Sequence, residues 1–341
     1  MDGKVRMVFP QPRFCEEDLP DLRGQTALVT GANSGVGLST ARALAKHGAK
    51  VVVACRSVAK AQAAKREILR QLGDGSGVQD NLVVLPVGLD LGSSQSVREF
   101  ASAFSASHAR QLDMLVLNAG IMFTPFELSE DGVEMQFMVN HVSHFLLTLL
   151  LLPELTPGAR VVSVSSCGHF ATYPEGIRWA ALNASDSYDK FFAYGQSKLA
   201  NILFTRELAA RTRGRDLFVN AAHPGFVATN IQRSINADLR KLFGWLVDAC
   251  NDIFTQIFGL TPDEGALTQL FLAASPRVRA EGIHGEYWVP TARNATADAW
   301  ALSPTISRHA LDDKLAADLW EFSVKVTGTE ALARDLKLER P

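Results

Sequence analysis

Tyr194 and Lys198 are the residues of this chain whose types and spacing most directly suggest chemistry. They lie four positions apart in YGQSKLANILFTREL, a helical pattern, so both side chains are expected on one helix face. A phenol has an ordinary pKa of about 10, and an ammonium at ~4 Å in an effective dielectric of ~20 favours the phenolate by about 4 kcal/mol before solvation losses. The pair therefore predicts a tyrosine that exchanges a proton with a carbonyl or alcohol oxygen.

A serine hydroxyl upstream of this pair could bind the same oxygen. Ser165 and Ser166 end the segment RVVSVSS, which starts at Arg160 and is predicted as a buried strand. Either hydroxyl could hydrogen-bond a substrate oxygen, and of the two we favour Ser166. Because a lone Tyr-x-x-x-Lys is a weak signal, its meaning depends on whether a nucleotide site precedes it.

Such a site is predicted where the first strand, starting at Thr26, meets the first helix in the turn TGANSGVG, residues 30–37. Glycines are needed there because a side chain would hold a pyrophosphate away from backbone N–H groups and the helix N-terminus. The spacing is G-x-x-x-G-x-G, not the general G-x-G-x-x-G, but its place between strand and helix supports dinucleotide binding. The predicted cofactor contacts from this turn are Thr30, Gly31, Asn33, Ser34, Gly35, Val36 and Gly37.

The end of the second strand bears on which dinucleotide would bind. The segment Ala54-Cys55-Arg56-Ser57 lacks the acidic residue that usually binds the ribose of NAD. Arg56 could instead pair with a 2′-phosphate, so NADP(H) is favoured over NAD(H). Asp90, after the third strand, could receive the adenine amino group, although a plain loop-entry Asp is the alternative. Ser57 and Leu91 complete this group of expected contacts.

The elements that would position these residues alternate between strand and helix. The strands are continuous apolar runs, typical of strands buried on both faces, which predicts an α/β fold with a parallel, doubly wound sheet. The strands are expected to start at Thr26, Val51, Leu82, Met114, Arg160 and Leu217, and the last strand is expected at Gly285–Val289. The helices are expected at Val36–His47, Val58–Leu72, Ser93–Ala106, Gly132–Leu152, Asp189–Arg211, Asp263–Ala273 and Ser307–Val326. We expect an N-terminal extension over 1–23, one domain over 24–330, and a tail over 331–341.

Composition excludes several classes of protein. With 341 residues, 47% hydrophobic content and a net charge of −2, the chain can bury a large core and lacks the basic footprint of a nucleic-acid binder. The four cysteines form no C-x-x-C pair, and no His, Cys or carboxylate cluster has metal-ligand spacing, so no metal is expected. The N-terminus lacks a signal-peptide pattern, and the apolar run Val142–Pro153 is too short to span a bilayer, so a cytoplasmic location is predicted.

Taken together, these motifs resemble the short-chain dehydrogenase/reductase family. The matching features run from about Gly24 to Thr229 and are TGANSGVG, Asn118-Ala119-Gly120, Asn140, Ser166, Tyr194-x-x-x-Lys198 and Pro224-Gly225. The resemblance implies that Asn140 holds a water in a proton relay with Lys198, and that Lys198 binds the nicotinamide ribose. It also implies cofactor contacts from Asn118, Ala119, Gly120, Tyr194, Lys198, Pro224, Gly225, Val227 and Thr229.

Three segments resemble one branch more closely, that of the retinol dehydrogenases and the WW-domain oxidoreductase. They are ACRS, NHVSHFLLT and YGQSKLANILFTREL. The stretch between Ser166 and Tyr194 is longer than in the simplest family pattern, which weakens any inference about the substrate. Residues 226–260 are apolar on one side at helical spacing and fall where the family has a lid, which suggests an apolar substrate of retinoid, steroid, fatty or isoprenoid type. The same apolar side of residues 226–260 could instead pack on the core, on a second subunit or on a membrane surface.

The predicted activity is that of an NADP(H)-dependent oxidoreductase that interconverts an alcohol and a carbonyl. The alternatives are a non-catalytic NADP(H)-binding sensor or scaffold, and a C=C reductase of the same fold. A homodimer and peripheral membrane contact are left open. Four histidines, namely His141, His144, His169 and His223, fall near the expected site and are interpreted as structural hydrogen-bonding groups, since Tyr194 fills the acid–base role.

Overall fold

The structure is a computed structural model that describes residues 13–73, 77–107, 109, 111–186, 188–227, 259–296 and 306–340. In these segments the strands are β1 (Thr26–Thr30), β2 (Lys50–Ala54), β3 (Leu82–Val83), β4 (Leu112–Leu117), β5 (Leu155–Val164), β6 (Leu217–Ala222), β7 (Tyr287–Val289) and β8 (Arg293–Asn294). They form one sheet in the order β3-β2-β1-β4-β5-β6-β7-β8. All neighbours are parallel except β7 and β8. The predicted parallel α/β sheet is confirmed, whereas the prediction that Gly285–Val289 is the last strand is wrong, because β8 turns back along β7.

Helices cover both faces of the sheet. They are α1 (Gly35–Lys46), α2 (Val58–Leu72), α3 (Ser94–Ser105), α4 (Met135–Phe137), α5 (Ser143–Leu151), α6 (Lys190–Arg211), α7 (Pro262–Ala274), α8 (Pro276–Ala280), α9 (Asp313–Thr327) and α10 (Glu330–Asp335). Ala27 and Val29 of β1 pack in one apolar cluster with α1, α2 and α7. Leu28 points to the opposite face and packs with α3, α5, α6 and α9. The strand order reverses between β1 and β4, and a ligand crevice is expected at that point.

The long helix predicted over Gly132–Leu152 is interrupted. It starts only at Met135, because Glu134 bridges to Leu128 in an antiparallel pair and its carboxylate accepts hydrogen bonds from the N–H groups of Gln136 and Phe137. Residues Met138–Val142 then form a π-helical turn before α5. Local apolar periodicity cannot reveal such an extra residue per turn, which is a feature often found at functional sites. Here it carries Asn140.

Within the described part of the chain, one helical segment is long and apolar enough to cross a membrane. This segment, Met135–Glu154, has a mean hydropathy of 1.4, and 83% of its apolar window is buried inside the fold. Phe145, for example, contacts the ring of Trp320 with a centroid separation of 5.0 Å. The segment therefore lies among core helices, as predicted for the run Val142–Pro153.

Both ends of the described chain pack onto the sheet domain. Residues Glu16–Asp18 form a 3-10 turn in the segment predicted as an extended lead-in, and Phe14 packs edge-on against Phe271 at 5.5 Å. At the other end Leu338 is buried, and its carbonyl oxygen accepts a hydrogen bond from Arg211. Trp320 is buried within the chain, so the apolar side of α9 is covered by this chain's own helices and is not a free face for a second subunit.

Candidate active site

A cleft of about 770 Å³ opens at the carboxyl ends of the central strands. It brings together most of the residues singled out from the sequence, although they come from widely separated segments. Those lining it are Thr30, Gly31, Asn33, Ser34, Gly35, Val36, Gly37, Arg56, Asp90, Leu91, Asn118, Ala119, Gly120, Ser166, Tyr194, Lys198, Pro224, Gly225 and Val227. The cleft therefore joins the predicted nucleotide turn to the predicted acid–base group.

The glycine turn is shaped by close backbone packing. Gly31 has a φ of 67°, and a Cβ there would lie 2.9 Å from the Cα of Ala119. A Cβ on Gly37 would overlap the side-chain amide of Asn118. Ser34 precedes α1 but makes no side-chain capping hydrogen bond, so the first-turn N–H groups of that helix remain available to an anion in the cleft.

The Asn118-Ala119-Gly120 segment braces this turn from the next strand. Asn118 donates through Nδ2 to the carbonyl oxygen of Thr30 at 2.9 Å. The N–H of Ala119 donates to the Thr30 hydroxyl oxygen, also at 2.9 Å. These bonds join the carboxyl ends of β1 and β4, so the segment supports the turn as well as lining the cleft.

The far end of the cleft carries two exposed basic side chains. Arg56 was expected there, but Lys60 was not singled out from the sequence. The sequence signal that could have found it was a second basic residue close behind Arg56: Lys60 lies in the first turn of α2, just after the loop that carries Arg56. Ser57 does not line the cleft; it caps α2 by accepting a hydrogen bond from the N–H of Lys60 at 3.4 Å. The cofactor contact expected of Ser57 stays a prediction, and the structure adds a capping role for its hydroxyl.

Asp90 lies beside these basic groups in a tight loop. One carboxylate oxygen, Oδ1, accepts a hydrogen bond from the N–H of Gly92 at 3.0 Å. Its own N–H donates to the Ser96 hydroxyl at 2.9 Å. Leu91 is held by its carbonyl oxygen, which accepts from Ser143 at 2.6 Å. The Asp90 side chain stabilises its own loop and also lines the cleft. The geometry therefore fits both a contact with the adenine amino group and a plain loop-entry role.

Ser166 and Tyr194 face each other across the cleft. Ser166 follows β5, and its Oγ accepts a hydrogen bond from the N–H of Gly168 at 3.0 Å. Ser166 and Tyr194 both line the cleft. A Cβ on Gly168 would lie 2.8 Å from the Tyr194 ring, so only glycine leaves room for this approach. Ser165 instead donates to the carbonyl oxygen of Lys198 at 2.7 Å and is buried. This geometry supports Ser166 over Ser165.

The electrostatics of Tyr194 differ from the expectation. Burial raises the pKa of Tyr194 to about 12, and the nearby Ser166 side chain, which acts to lower that pKa, only partly opposes this. Lys198 lies with its Nζ 5.9 Å from the phenol ring centroid, donates to the Val164 carbonyl at 2.9 Å, and has its pKa lowered to about 8 by burial. The expected lowering of the phenol pKa is wrong for this arrangement, because desolvation has a larger effect than an ammonium directed at a carbonyl. At neutral pH the phenol therefore keeps its proton and is a donor.

Asn140 lies behind the cleft wall and does not line it. Its Oδ1 accepts from the N–H of Ile121 at 2.8 Å, and its Nδ2 donates to the Ile121 carbonyl at 3.0 Å and to Ser197 at 2.9 Å. A Cβ on Gly120 would lie 3.1 Å from that Oδ1 and 3.3 Å from the Lys198 Nζ. Asn140 thus holds the segment after β4 close to Lys198, and the water relay implied by the resemblance stays a prediction.

The segment after β6 forms the remaining wall. Gly225 has a φ of 88°, a backbone conformation that favours glycine, and a Cβ there would lie 3.0 Å from the Pro290 ring. Val227 pairs with Leu260 in a parallel bridge. Residues 228–258 lie outside the described part of the chain, so Thr229 and nearly all of the predicted lid over 226–260 are not described.

The four histidines near the site are buried, and their hydrogen bonds are structural. His169 donates through Nδ1 to the Ser166 carbonyl at 2.7 Å and accepts from the N–H of Ser307 at 3.2 Å. His144 bonds the Thr30 hydroxyl and the Asn140 carbonyl, His141 bonds Ser323, and His223 accepts from the N–H of Gly225. No group of three His, Cys, Asp or Glu side chains suited to a metal ion occurs among the described residues.

These histidines predict a loss of stability in acid. Burial lowers the pKa of His141 to about 3, against about 6.5 in an unfolded chain, so protons bind the unfolded state more tightly. The stabilising effect is complete above pH 6.5 and is lost as the pH falls toward 3, amounting to about 2 kcal/mol between pH 7 and pH 5. The free energy of unfolding, measured with denaturant at pH 7 and at pH 5, should therefore differ between the two pH values by about 2 kcal/mol less in His141→Gln than in the unchanged chain. Equal pH dependence in the two proteins would show that His141 is not desolvated.

Comparison with known proteins agrees with this architecture. A family model described as short chain dehydrogenase matches residues 25–240. Human retinol dehydrogenase 14 is 42% identical over 316 residues, which cover 90% of this chain and 87% of that protein.

Two solved structures extend the comparison. An uncharacterized protein from Mycobacterium paratuberculosis has 35% identity and a TM-score of 0.69, covering 93% of this chain and 98% of that one. A short chain dehydrogenase from Burkholderia cenocepacia in complex with NADP has 25% identity and a TM-score of 0.57, and the match covers 80% of this chain and 98% of that one. With the glycine turn, the Ser166–Tyr194 pair and Lys198 in one cleft, these matches show that the chain belongs to the short-chain dehydrogenase/reductase family of oxidoreductases, in its retinol dehydrogenase-like branch.

Proposed function

We propose that this protein is an NADP(H)-dependent oxidoreductase that interconverts an alcohol and a carbonyl on an apolar substrate, with Tyr194 as the acid and base. The observation that carries the proposal is the placing of the Tyr194 phenol and the Ser166 hydroxyl in the same cleft as the glycine turn. A proton donor, a hydroxyl partner and an anion-binding helix N-terminus are together the groups that carbonyl reduction requires.

The cofactor site fits a phosphorylated dinucleotide. The uncapped start of α1 and the glycines of the turn would hold the pyrophosphate, and Lys198 would hold the nicotinamide ribose. Neither Arg56 nor Lys60 forms a side-chain ion pair within the described segments, so both charges are available to a 2′-phosphate. When bound, NADP(H) supplies or accepts the hydride.

The residues of the chain itself handle the proton. Tyr194 holds its proton at neutral pH because burial raises its pKa, so it can give that proton to a carbonyl oxygen. Ser166 would hydrogen-bond the same substrate oxygen, since its hydroxyl already lies against the phenol. In the alcohol direction the phenol must first lose its proton, and the positive charge of Lys198 favours that loss.

An apolar substrate is supported by the cleft wall near Tyr194. The side chains that line it there are Ile121, Met122, Phe123, Phe191 and Phe226. Phe191 and Phe226 are 47% and 46% exposed, which leaves aromatic surface for a ligand to cover. A retinoid, steroid, fatty or isoprenoid compound has the matching chemistry, and a relative 42% identical to this chain is named a retinol dehydrogenase. A cytoplasmic location, membrane contact and a homodimer stay predictions.

The direct test is a panel of apolar aldehydes, ketones and alcohols assayed with NADPH, NADH and their oxidised forms in parallel. We expect turnover of a carbonyl or alcohol with the phosphorylated cofactor. Binding of NADPH without turnover across the panel would favour the sensor or scaffold alternative. Saturation of a C=C bond, identified by product analysis, would favour the reductase alternative.

Cofactor preference should depend on Arg56. In Arg56→Ala the affinity for NADPH should fall about 10- to 100-fold while that for NADH changes little, because a charged hydrogen bond to the 2′-phosphate is lost. Lys60→Ala should act in the same direction. Fluorescence titration with both cofactors measures the effect, and Arg66→Ala, an exposed arginine of α2 outside the cleft wall, is the matched control. A clear NADH preference in the unchanged chain would contradict the assignment.

A further inference from the structure

Phe123 has an unusual backbone for its residue type. Its φ is 58°, in the left-handed region that disfavours side chains other than glycine, asparagine and aspartate. Such strain persists only where the surrounding structure enforces it, and it is concentrated at functional sites. Phe123 lies in the cleft wall, three residues after Gly120. The strained residue is thus at the site and calls for a physical explanation.

A buried polar network holds this backbone in place. The N–H of Phe123 donates to Oε1 of Gln136 at 2.7 Å, and Gln136 is fully buried. Gln136 donates through Nε2 to the Tyr188 hydroxyl at 2.8 Å and to the Lys190 carbonyl at 3.1 Å. The network therefore ties the loop after β4 to the long insertion that precedes α6.

The same network continues to the residue after Phe123. The Tyr188 hydroxyl lies 2.8 Å from the Thr124 carbonyl oxygen and 3.1 Å from a carboxylate oxygen of Glu134, and these two acceptors share its single proton. The N–H of Glu134 donates to the carbonyl of Leu182, also in the insertion, at 2.7 Å. With bonds on Phe123 and on Thr124, the loop has little freedom to leave the left-handed conformation.

The ring held in this way lies against the catalytic tyrosine. The Phe123 and Tyr194 ring centroids are 5.3 Å apart at 72°, an edge-to-face contact. The Phe191 ring packs on Phe123 at 4.6 Å. Phe123 therefore covers one side of the Tyr194 ring, and Phe191 backs it from the start of α6.

We propose that Phe123 is a positioning residue that holds the Tyr194 ring in one orientation, with the Gln136–Glu134–Tyr188 network keeping it there. The inference rests on the proposed acid–base role of Tyr194. In this proposal the long stretch between Ser166 and Tyr194 helps to fix the Phe123 backbone, because it supplies Tyr188 and the backbone carbonyls of Leu182 and Lys190 to the network.

Phe123→Gly distinguishes an effect of the Phe123 ring on turnover from an effect on the stability of the fold. Glycine accepts the left-handed backbone without strain, which offsets part of the stability lost with the ring contacts and with the greater freedom of the unfolded chain, so the fold should be kept with only a modestly lower thermal midpoint. We expect kcat to fall by roughly 10- to 100-fold, with NADPH affinity unchanged, because the reacting oxygen is no longer held in place. Phe123→Tyr keeps an aromatic ring and should restore most of kcat. Phe192→Ala, an exposed neighbour of Phe191 outside the cleft wall, should have no effect.

A second readout does not require activity. The chain has four tyrosines, so ring-labelled tyrosine gives four sets of NMR signals, and Tyr194→Phe assigns one of them. The Tyr194 signal should be single and sharp in the unchanged chain, and broadened or split in Phe123→Gly. A sharp single signal in Phe123→Gly, or a kcat within about twofold of the unchanged chain, would overturn the positioning role. Failure of the unchanged chain to turn over any compound would count against the proposed function, and the NMR comparison would still decide the role of Phe123.

Discussion

Tyr194→Phe should remove turnover while leaving cofactor binding intact. Loss of the phenol proton donor is expected to lower kcat by roughly 10²- to 10⁴-fold, the usual range for a positioned general acid. Phenylalanine keeps the ring that packs on Phe123 and Gly168, so the fold and the nucleotide end of the cleft should be preserved. Initial rates with the best substrate of the panel and fluorescence titration of NADPH measure the two quantities separately.

Tyr173→Phe is the matched control for this substitution. Tyr173 is buried, lies outside the cleft wall, and its hydroxyl accepts from the N–H of Asp189 at 3.1 Å. It should lose a little stability and keep kcat. If Tyr194→Phe turned over substrate at the normal rate, the acid–base assignment would have to be abandoned.

Gly195→Ala should disrupt the site at the contact between α6 and the segment that follows Ser166. A Cβ at this position would overlap the carbonyl oxygen of Ala171 and lie 2.9 Å from that of Gly168. These are backbone atoms, so α6 and the segment after Ser166 would have to separate. Because Tyr194 and Ser166 lie on the two sides of this contact, a displacement of ~1 Å is expected to lower kcat by on the order of 100-fold.

The thermal midpoint of Gly195→Ala should also fall, although alanine favours a helix over glycine by about 1 kcal/mol. Ala210→Gly, on the same helix and half-exposed, is the control that changes helix propensity without a steric contact. It should lower stability modestly and leave kcat unchanged. A Gly195→Ala protein with normal kcat and midpoint would mean that the segment Cys167–Phe170 moves freely against α6.

The features predicted well from the sequence are those that depend on local patterns. Continuous apolar runs identified the strands near Thr26, Val51, Met114 and Leu217, because a strand buried on both faces needs no polar alternation. The glycine turn was recognisable because backbone geometry restricts the residue type at Gly31 and Gly37. The four-residue spacing of Tyr194 and Lys198 placed both on one helix, where they do line the same cleft.

Predictions of where helices and strands begin and end were less accurate, because helix-capping side chains and strand pairing set these positions and the apolar pattern does not show them. The expected strand from Leu82 to Pro86 is only two residues long, and the expected helix from Ser307 is a 3-10 turn followed by α9, whose start is capped by Asp312. Ser57 was predicted only as a cofactor contact, and its role as the cap of α2 was missed, because where the next helix begins could not be read from the apolar pattern.

The amino-acid sequence thus determined the α/β architecture, the glycine turn and the Tyr194–Lys198 pair proposed for acid–base chemistry, since each rests on residue type and short-range spacing. Only the tertiary structure decided how those groups behave. It buried Tyr194 so that its pKa rises to about 12, directed Lys198 at the Val164 carbonyl, and placed Lys60 beside Arg56 in the cleft wall. Desolvation and ring contacts such as that between Phe123 and Tyr194 depend on segments about 70 residues apart in the chain, whose approach no local pattern encodes.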